Sequence, residues 1–115
     1  RARGLVGENE VPLGLFLQAA APREVIARLL RNLKEIHRAA ADWGRLLAVC
    51  ERMVVLMPKA WEERRDRGLA LAELGCDEAA ALDLADYLQH MPAAEDAGPL
   101  RDRLITLARR PRRRH

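Results

Sequence analysis

Aromatic side chains are nearly missing from this 115-residue chain: two Trp, one Tyr and one Phe, 3% of residues. Half of the residues are hydrophobic, so a core must be built from Leu, Ala, Val, Ile and Met. Such side chains suit closely packed helices, and Ala is the strongest helix former. Cysteine is scarce as well. Cys50 and Cys76 form no CxxC pair and are too few for the disulfide framework of a small secreted domain. Buried free thiols in a reduced cytosol are therefore expected. No run of 18 apolar residues exists, so no membrane-spanning helix is predicted. The apolar stretch Val11 to Ala21 is short and lacks a signal-peptide layout. His37, His90 and His115 are far apart and no paired carboxylate motif accompanies them. Neither a metal nor a cofactor site is predicted.

Lysine is rare too, with only Lys34 and Lys59; arginine carries the positive charge. The net charge is +3, but five of the 20 basic side chains fall in Arg109-Arg110-Pro111-Arg112-Arg113-Arg114. Without that tail the body is mildly acidic. A nucleic-acid face spreads basic residues among stacking aromatics. The tail holds none, so residues 111–115 are expected to be a solvated, disordered end rather than a nucleic-acid site.

What the chain does have is helical periodicity. Its length suits one domain with a modest core. Apolar residues at three- and four-residue spacing predict a first helix over 22–40, with Pro22 at a first-turn position where its missing N–H costs nothing. Val25, Ile26, Leu29, Leu30, Leu33, Ile36 and His37 form its inward stripe, with Arg28, Arg31, Glu35 and Arg38 opposite. Asp42 is a good N-cap for a second helix over 43–57, with Leu46, Leu47, Cys50, Met53, Val54 and Met57 inward. Pro58 stops it. A third helix, 60–74, ends at Gly75. Asp77 is predicted to cap a fourth, ending near Met91, with Ala80, Ala81, Leu84, Tyr87, Leu88 and Met91 inward. Pro92 stops that helix. A fifth, over 96–110, tolerates Pro99 in its first turn and carries Leu100, Leu104, Ile105, Leu107 and Ala108. The fold class predicted is all-α: two helix–turn–helix units over 22–110 with a C-terminal capping helix.

The interval from Pro58 to Pro92 equals the unit length of the tetratricopeptide repeat, about 34 residues. In the second unit Gly68, Leu71, Gly75, Ala80, Tyr87 and Pro92 fall at that pattern's spacings. Gly68 permits close helix approach, Ala80 is the small residue at the crossing, and Tyr87 fills the seam. The first unit offers Leu30, Leu33, Trp43, Leu46 and Pro58, with Lys34 where the pattern has glycine. A tetratricopeptide-like α–α superhelix is a scaffold that holds another polypeptide. Two strings narrow the likeness. Pro22-Arg23-Glu24-Val25-Ile26-Ala27-Arg28-Leu29-Leu30-Arg31-Asn32-Leu33-Lys34 and Glu62-Glu63-Arg64-Arg65-Asp66-Arg67-Gly68-Leu69, with Leu74-Gly75-Cys76 after them, resemble the SirB type. This is a bacterial transglutaminase-like family with a C-terminal tetratricopeptide region. The resemblance implies a two-part protein whose front domain supplies a Cys-His-Asp set. Nothing in this chain corresponds to that set, so the resemblance implies the helical C-terminal part, non-catalytic by itself.

Each candidate site has a competing structural reading. Cys50 and His37 could pair as nucleophile and base, but both lie on inward stripes, and a reactive thiol needs an open, cationic setting. Core packing is expected. Arg64 and Arg67 take positions where the repeat wants large apolar residues, so each needs a carboxylate, with Asp83, Asp86 and Glu63 in range. The inner surface of the stack would be lined by Arg28, Arg31, Glu35, Arg38, Glu62, Arg65, Leu69, Glu73 and Arg103. Arginine predominates there, which suits an acidic or C-terminal peptide. Glu35 and Asp66 stand where a chaperone-tail clamp needs asparagine, so that ligand is excluded. Two units are fewer than a stable array generally needs. Residues 1–21, with Leu13, Leu15, Phe16 and Leu17, are expected to fold over the open side of the first helix or to link to a front domain. A homodimer burying the same side is the alternative.

Overall fold

The computed structural model describes residues 22–109, and the expectations for residues 1–21 and for the arginine tail fall outside them. Five α-helices follow one another: α1 (Pro22–Ala39), α2 (Trp43–Leu56), α3 (Trp61–Glu73), α4 (Asp77–His90) and α5 (Ala97–Arg109). No strand occurs among the described residues. Each helix packs on its successor, as a stack of hairpins must.

The repeat period is written in the backbone. In the turn after α1, Ala40 N–H donates to Ile36 C=O, Ala41 to Arg38 and Asp42 to His37. In the turn after α3, Leu74 donates to Ala70, Gly75 to Ala72 and Cys76 to Leu71, each bond one repeat later. Ala41 and Gly75 both take positive φ, 54° and 82°, the left-handed stop that ends a helix. Glycine does this freely, whereas Ala41 accepts a cost of about 1 kcal/mol. The joins between units repeat in the same way. Met57 and Met91, each held out of helical geometry by the proline that follows, sit at φ −128° and −129°. Their N–H groups donate to Met53 and Tyr87 at 2.8 Å.

Packing follows the same register. The largest fully buried side chains are Tyr87, Met53, Leu84 and Cys50, which form two equivalent pairs, 50 with 84 and 53 with 87. Around Tyr87 and Leu84 gather Ala72, Ala80, Leu100 and Leu107, and a smaller cluster joins Leu46, Cys50 and Ala70. Burying a side chain of this size stabilises by about 1.5–3 kcal/mol. Gly68 lies at the α3–α4 crossing, where an added Cβ would stand 2.9 Å from Asp83 Cβ and 3.2 Å from Ala80 O. At the far end of this hairpin Trp61 stacks on His90 with ring centres 3.6 Å apart.

Three expectations need correction. The inward face of α1 is made by Ala27, Leu30, Lys34 and His37, while Ile26, Leu29, Leu33 and Ile36 are exposed. The stripe was too wide for one neighbour, and α2 covers only one flank. Asp77 is the first residue of α4 rather than its cap: Cys76 holds the cap position, with no side-chain cap bond. On α5, Ala97, Leu100 and Leu107 are buried, but Ile105 and Ala108 face outward.

Candidate partner-binding groove

A groove of about 470 Å³ runs across the alternate helices α1, α3 and α5. Its apolar floor is Leu46, Leu69, Ala70 and Leu100, flanked by Trp43 and Pro99. Charged side chains stand along it: Arg38 from α1, Arg65, Asp66 and Glu73 from α3, Asp96 before α5 and Arg103 on it. Three arginines face three carboxylates.

Those charges are already joined to one another. Asp66, with only 6% of its side chain exposed, is the hub. It accepts from Lys34 Nζ at 2.7 Å and Arg65 Nε at 2.9 Å, with Arg38 Nη2 at 3.5 Å. Lys34 Nζ also donates to Glu63 at 2.8 Å. Arg65 Nη1 continues to Asp96 at 3.1 Å, and Tyr87 Oη donates to the other Asp96 oxygen at 2.8 Å. The Arg65 guanidinium lies over the Tyr87 ring. One chain of hydrogen bonds therefore ties α1, α3, α4 and the start of α5.

Burial alone would raise the Asp66 carboxyl, but the hydrogen bonds from Lys34 and Arg65 outweigh it and hold the group below the ordinary carboxylate value. For Lys34, burial pulls down and the bonds to Asp66 and Glu63 push up; the ammonium ends above its ordinary value. Burial, followed by the bond to Asp96, raises Tyr87. Asp66 and Lys34 are therefore both charged at neutral pH, and the Tyr87 phenol is not.

Of the residues read from sequence as lining this surface, Arg38, Arg65, Leu69, Glu73 and Arg103 do so. Arg28 and Arg31 are exposed on α1 outside the groove's lining, and Glu35 serves as the carboxylate of Arg38, at 2.8 Å. The outer rim is the looser part: Arg103 meets Glu73 at 3.4 Å, with both side chains about four-tenths exposed. Arg67 is bound away from the groove, its guanidinium making two 2.7 Å bonds to Asp83, and Arg64 pairs with Asp86 at 3.2 Å. Sequence reading missed Trp43, Asp96 and the Lys34–Glu63–Asp66 triad. Its only sign was acid at i and i+3 on the side of α3 that faces α1.

Cys50 is no nucleophile. It is fully buried, and burial, with the nearby Asp66 charge, pushes its thiol up to about 12. Among the described residues no group of three His, Cys, Asp or Glu side chains could hold a metal, and no helix is long and apolar enough to cross a membrane.

Comparison with known proteins agrees with this geometry. The tetratricopeptide repeat family matches residues 33–105. The chain belongs to that family. It is 35% identical to the UPF0162 protein of Xylella fastidiosa strain 9a5c over 104 residues, 87% of this chain and 37% of the relative. To Protein SirB1 of Salmonella typhimurium it is 32% identical over 92 residues, 80% of this chain and 34% of the relative. This chain thus spans little more than a third of the length of these relatives. No solved structure matches it significantly.

Proposed function

We propose that this chain is a non-catalytic protein–protein interaction module and that its groove holds a partner polypeptide. The observation that carries the reading is the combination of an apolar floor with a fixed polar wall. Asp66, Arg65 and Asp96 are locked by one another, so a bound segment meets a preorganised surface and orders few side chains on docking. The charges along the groove balance, which removes the argument for a strongly acidic ligand. An acidic group would be met at the rim, by Arg103, whose partner Glu73 is exposed, and by Arg38, whose nearer partner Glu35 is exposed. Apolar side chains of the ligand would lie on Leu69, Leu100 and Trp43.

The test is comparative affinity capture. Partners taken up by the wild-type chain should be lost by Leu69→Asp in the groove floor and kept by Leu82→Asp on the exposed side of α4. If Leu69→Asp retains every partner with its melting temperature unchanged, binding lies elsewhere.

A second reading is that the module regulates, or presents substrate to, a transglutaminase-like cysteine enzyme of which it forms the C-terminal part. Its support is that the relatives, Protein SirB1 among them, are nearly three times as long as the region matched here. Reading the coding frame ahead of this chain tests it: an in-frame domain with a Cys-His-Asp set supports the idea, and a frame without one removes it.

A further inference from the structure

α1 carries more apolar surface than its described neighbours cover. Ile26, Leu29, Leu33 and Ile36 are 47%, 59%, 42% and 60% exposed. Their spacing of three, four and three residues puts them in one line, a ridge about 15 Å long at 1.5 Å per residue. Single exposed leucines are ordinary, but four in a row mark a surface that something covers.

The repeat shows what kind of neighbour belongs there. One repeat after Leu29 and Ile36 stand Glu63 and Ala70, only 5% and 1% exposed. Glu63 is covered by Lys34 of α1, and Ala70 by Leu46 and Cys50 of α2. One repeat beyond Glu63, Ala97 is again buried. In the second unit positions 63 and 70, on this side of the first helix, are thus covered by chain from the unit before it.

We infer that the segment Val11–Leu17 of this same chain turns back at Ala19–Ala21 and covers the α1 ridge. From Val11 to Ala21 there is no charged residue, and Val11, Leu13, Leu15, Phe16 and Leu17 supply the apolar side chains. Phe16 stands one repeat before Cys50 and two before Leu84, both of which are completely buried inward positions. The reach is sufficient. Three residues span about 10 Å, the separation of packed helices, and both turns within the hairpins, 40–42 and 74–76, are also three residues long. Seven residues cover between about 10 Å as helix and about 23 Å extended, bracketing the ridge. Being tethered, the segment acts at an effective concentration of order millimolar, which a second copy in dilute solution does not match. The inference is independent of what the groove on the other flank binds.

The test is a thermal double-mutant cycle on the full chain with Phe16→Ala and Leu29→Ala, beside Leu82→Ala as an exposed control on α4. Each of the first two should lower the melting temperature by about 4–8 °C. The double variant should fall no further than the worse single, because both remove one contact. Leu82→Ala should change nothing. Hydrogen exchange should show the amides of residues 11–17 protected, in a protein that light scattering finds monomeric. Additive or absent effects overturn the inference. So does a dimer that Leu29→Asp dissociates, which would assign the ridge to a second copy. A monomer with residues 11–17 unprotected would leave the ridge to a separate partner and overturn it equally.

Discussion

The two hairpins share a backbone but are held by different forces. Position 34 of the first and position 68 of the second are equivalent points in the repeat, one a lysine and the other a glycine. At Gly68 the absence of a side chain lets α3 and α4 close to direct backbone contact, with the Tyr87 and Leu84 core on one side and the Arg67–Asp83 pair within the same hairpin. At Lys34 the side chain instead reaches forward to Glu63 and Asp66 on α3, so one unit is fastened to the next by buried charge. The same fold therefore tolerates opposite solutions at one site, provided each is completed by its neighbours: Gly68 by Ala80 and Leu84, Lys34 by two carboxylates.

Removing one partner of a buried ion pair strands the other, which costs about 3–5 kcal/mol. Lys34→Ala should show the largest loss, read as a urea midpoint. Glu63 then has no cation in contact, while Asp66 keeps Arg65. The pH dependence sharpens this. Asp66 is held below its ordinary value of 3.8, so below that pH the unfolded chain takes up its proton first and stability falls as the solution is acidified. Lys34 is raised above its ordinary 10.5, so its contribution is intact below that value and is lost as pH climbs past it. Wild-type stability from this cluster should be flat from about pH 5 to 10 and fall off on both sides. In Lys34→Ala both falls should shrink, the alkaline one persisting in part because Cys50 and Tyr87 are also raised above their ordinary values. An unchanged profile would show that the triad adds nothing.

Gly68→Ala should rank second. The new Cβ meets another Cβ and a backbone carbonyl, neither of which can rotate away, so the helices must part, at a cost of about 1–3 kcal/mol. Gly44 near the start of α2 is the counterexample, with nothing within 4 Å of an added Cβ. Gly44→Ala should stabilise by about 0.5–1 kcal/mol through helix propensity. Two glycine-to-alanine changes of opposite sign in one melting series would show that crossing distance, and not glycine itself, decides the outcome.

Local signals made most of the fold legible. Pro58, Pro92 and Gly75 act on the residue beside them, and Asp42 on an amide three residues away, so their effects are visible in a string of letters. The α1 ridge was misread because periodicity reports which side of a helix is apolar, not which side has a neighbour; Ile26 and Leu33 look as inward as Leu30. The groove was half legible for a related reason. Arg38, Arg65 and Arg103 could be placed on first helices by spacing, but their partners lie up to 31 residues away. In sequence a buried Lys34 or Asp66 is indistinguishable from a solvated charge.

The smallest effect bears on how far the equivalence of the two units extends. Asp42 and Cys76 are the caps of α2 and α4, with nearly the same backbone, φ −89° and ψ 80° against φ −87° and ψ 70°. Only Asp42 uses its side chain, accepting from Arg45 N–H at 3.2 Å. Asp42→Ala should therefore cost about 1 kcal/mol, and Cys76→Ser should return up to a similar amount by giving α4 the bond it lacks. Serine is the better choice than aspartate, because Asp77 and Glu78 already crowd the first turn with negative charge. Thiol labelling gives an internal check. Cys50 is sealed and protonated, so native protein should react through Cys76 alone, and Cys76→Ser should not react until it unfolds. If that variant melts where the wild type does, matching dihedrals are not enough to make a cap. The second hairpin would then owe its stability to the Gly68 crossing and the Tyr87 core rather than to the ends of its helices.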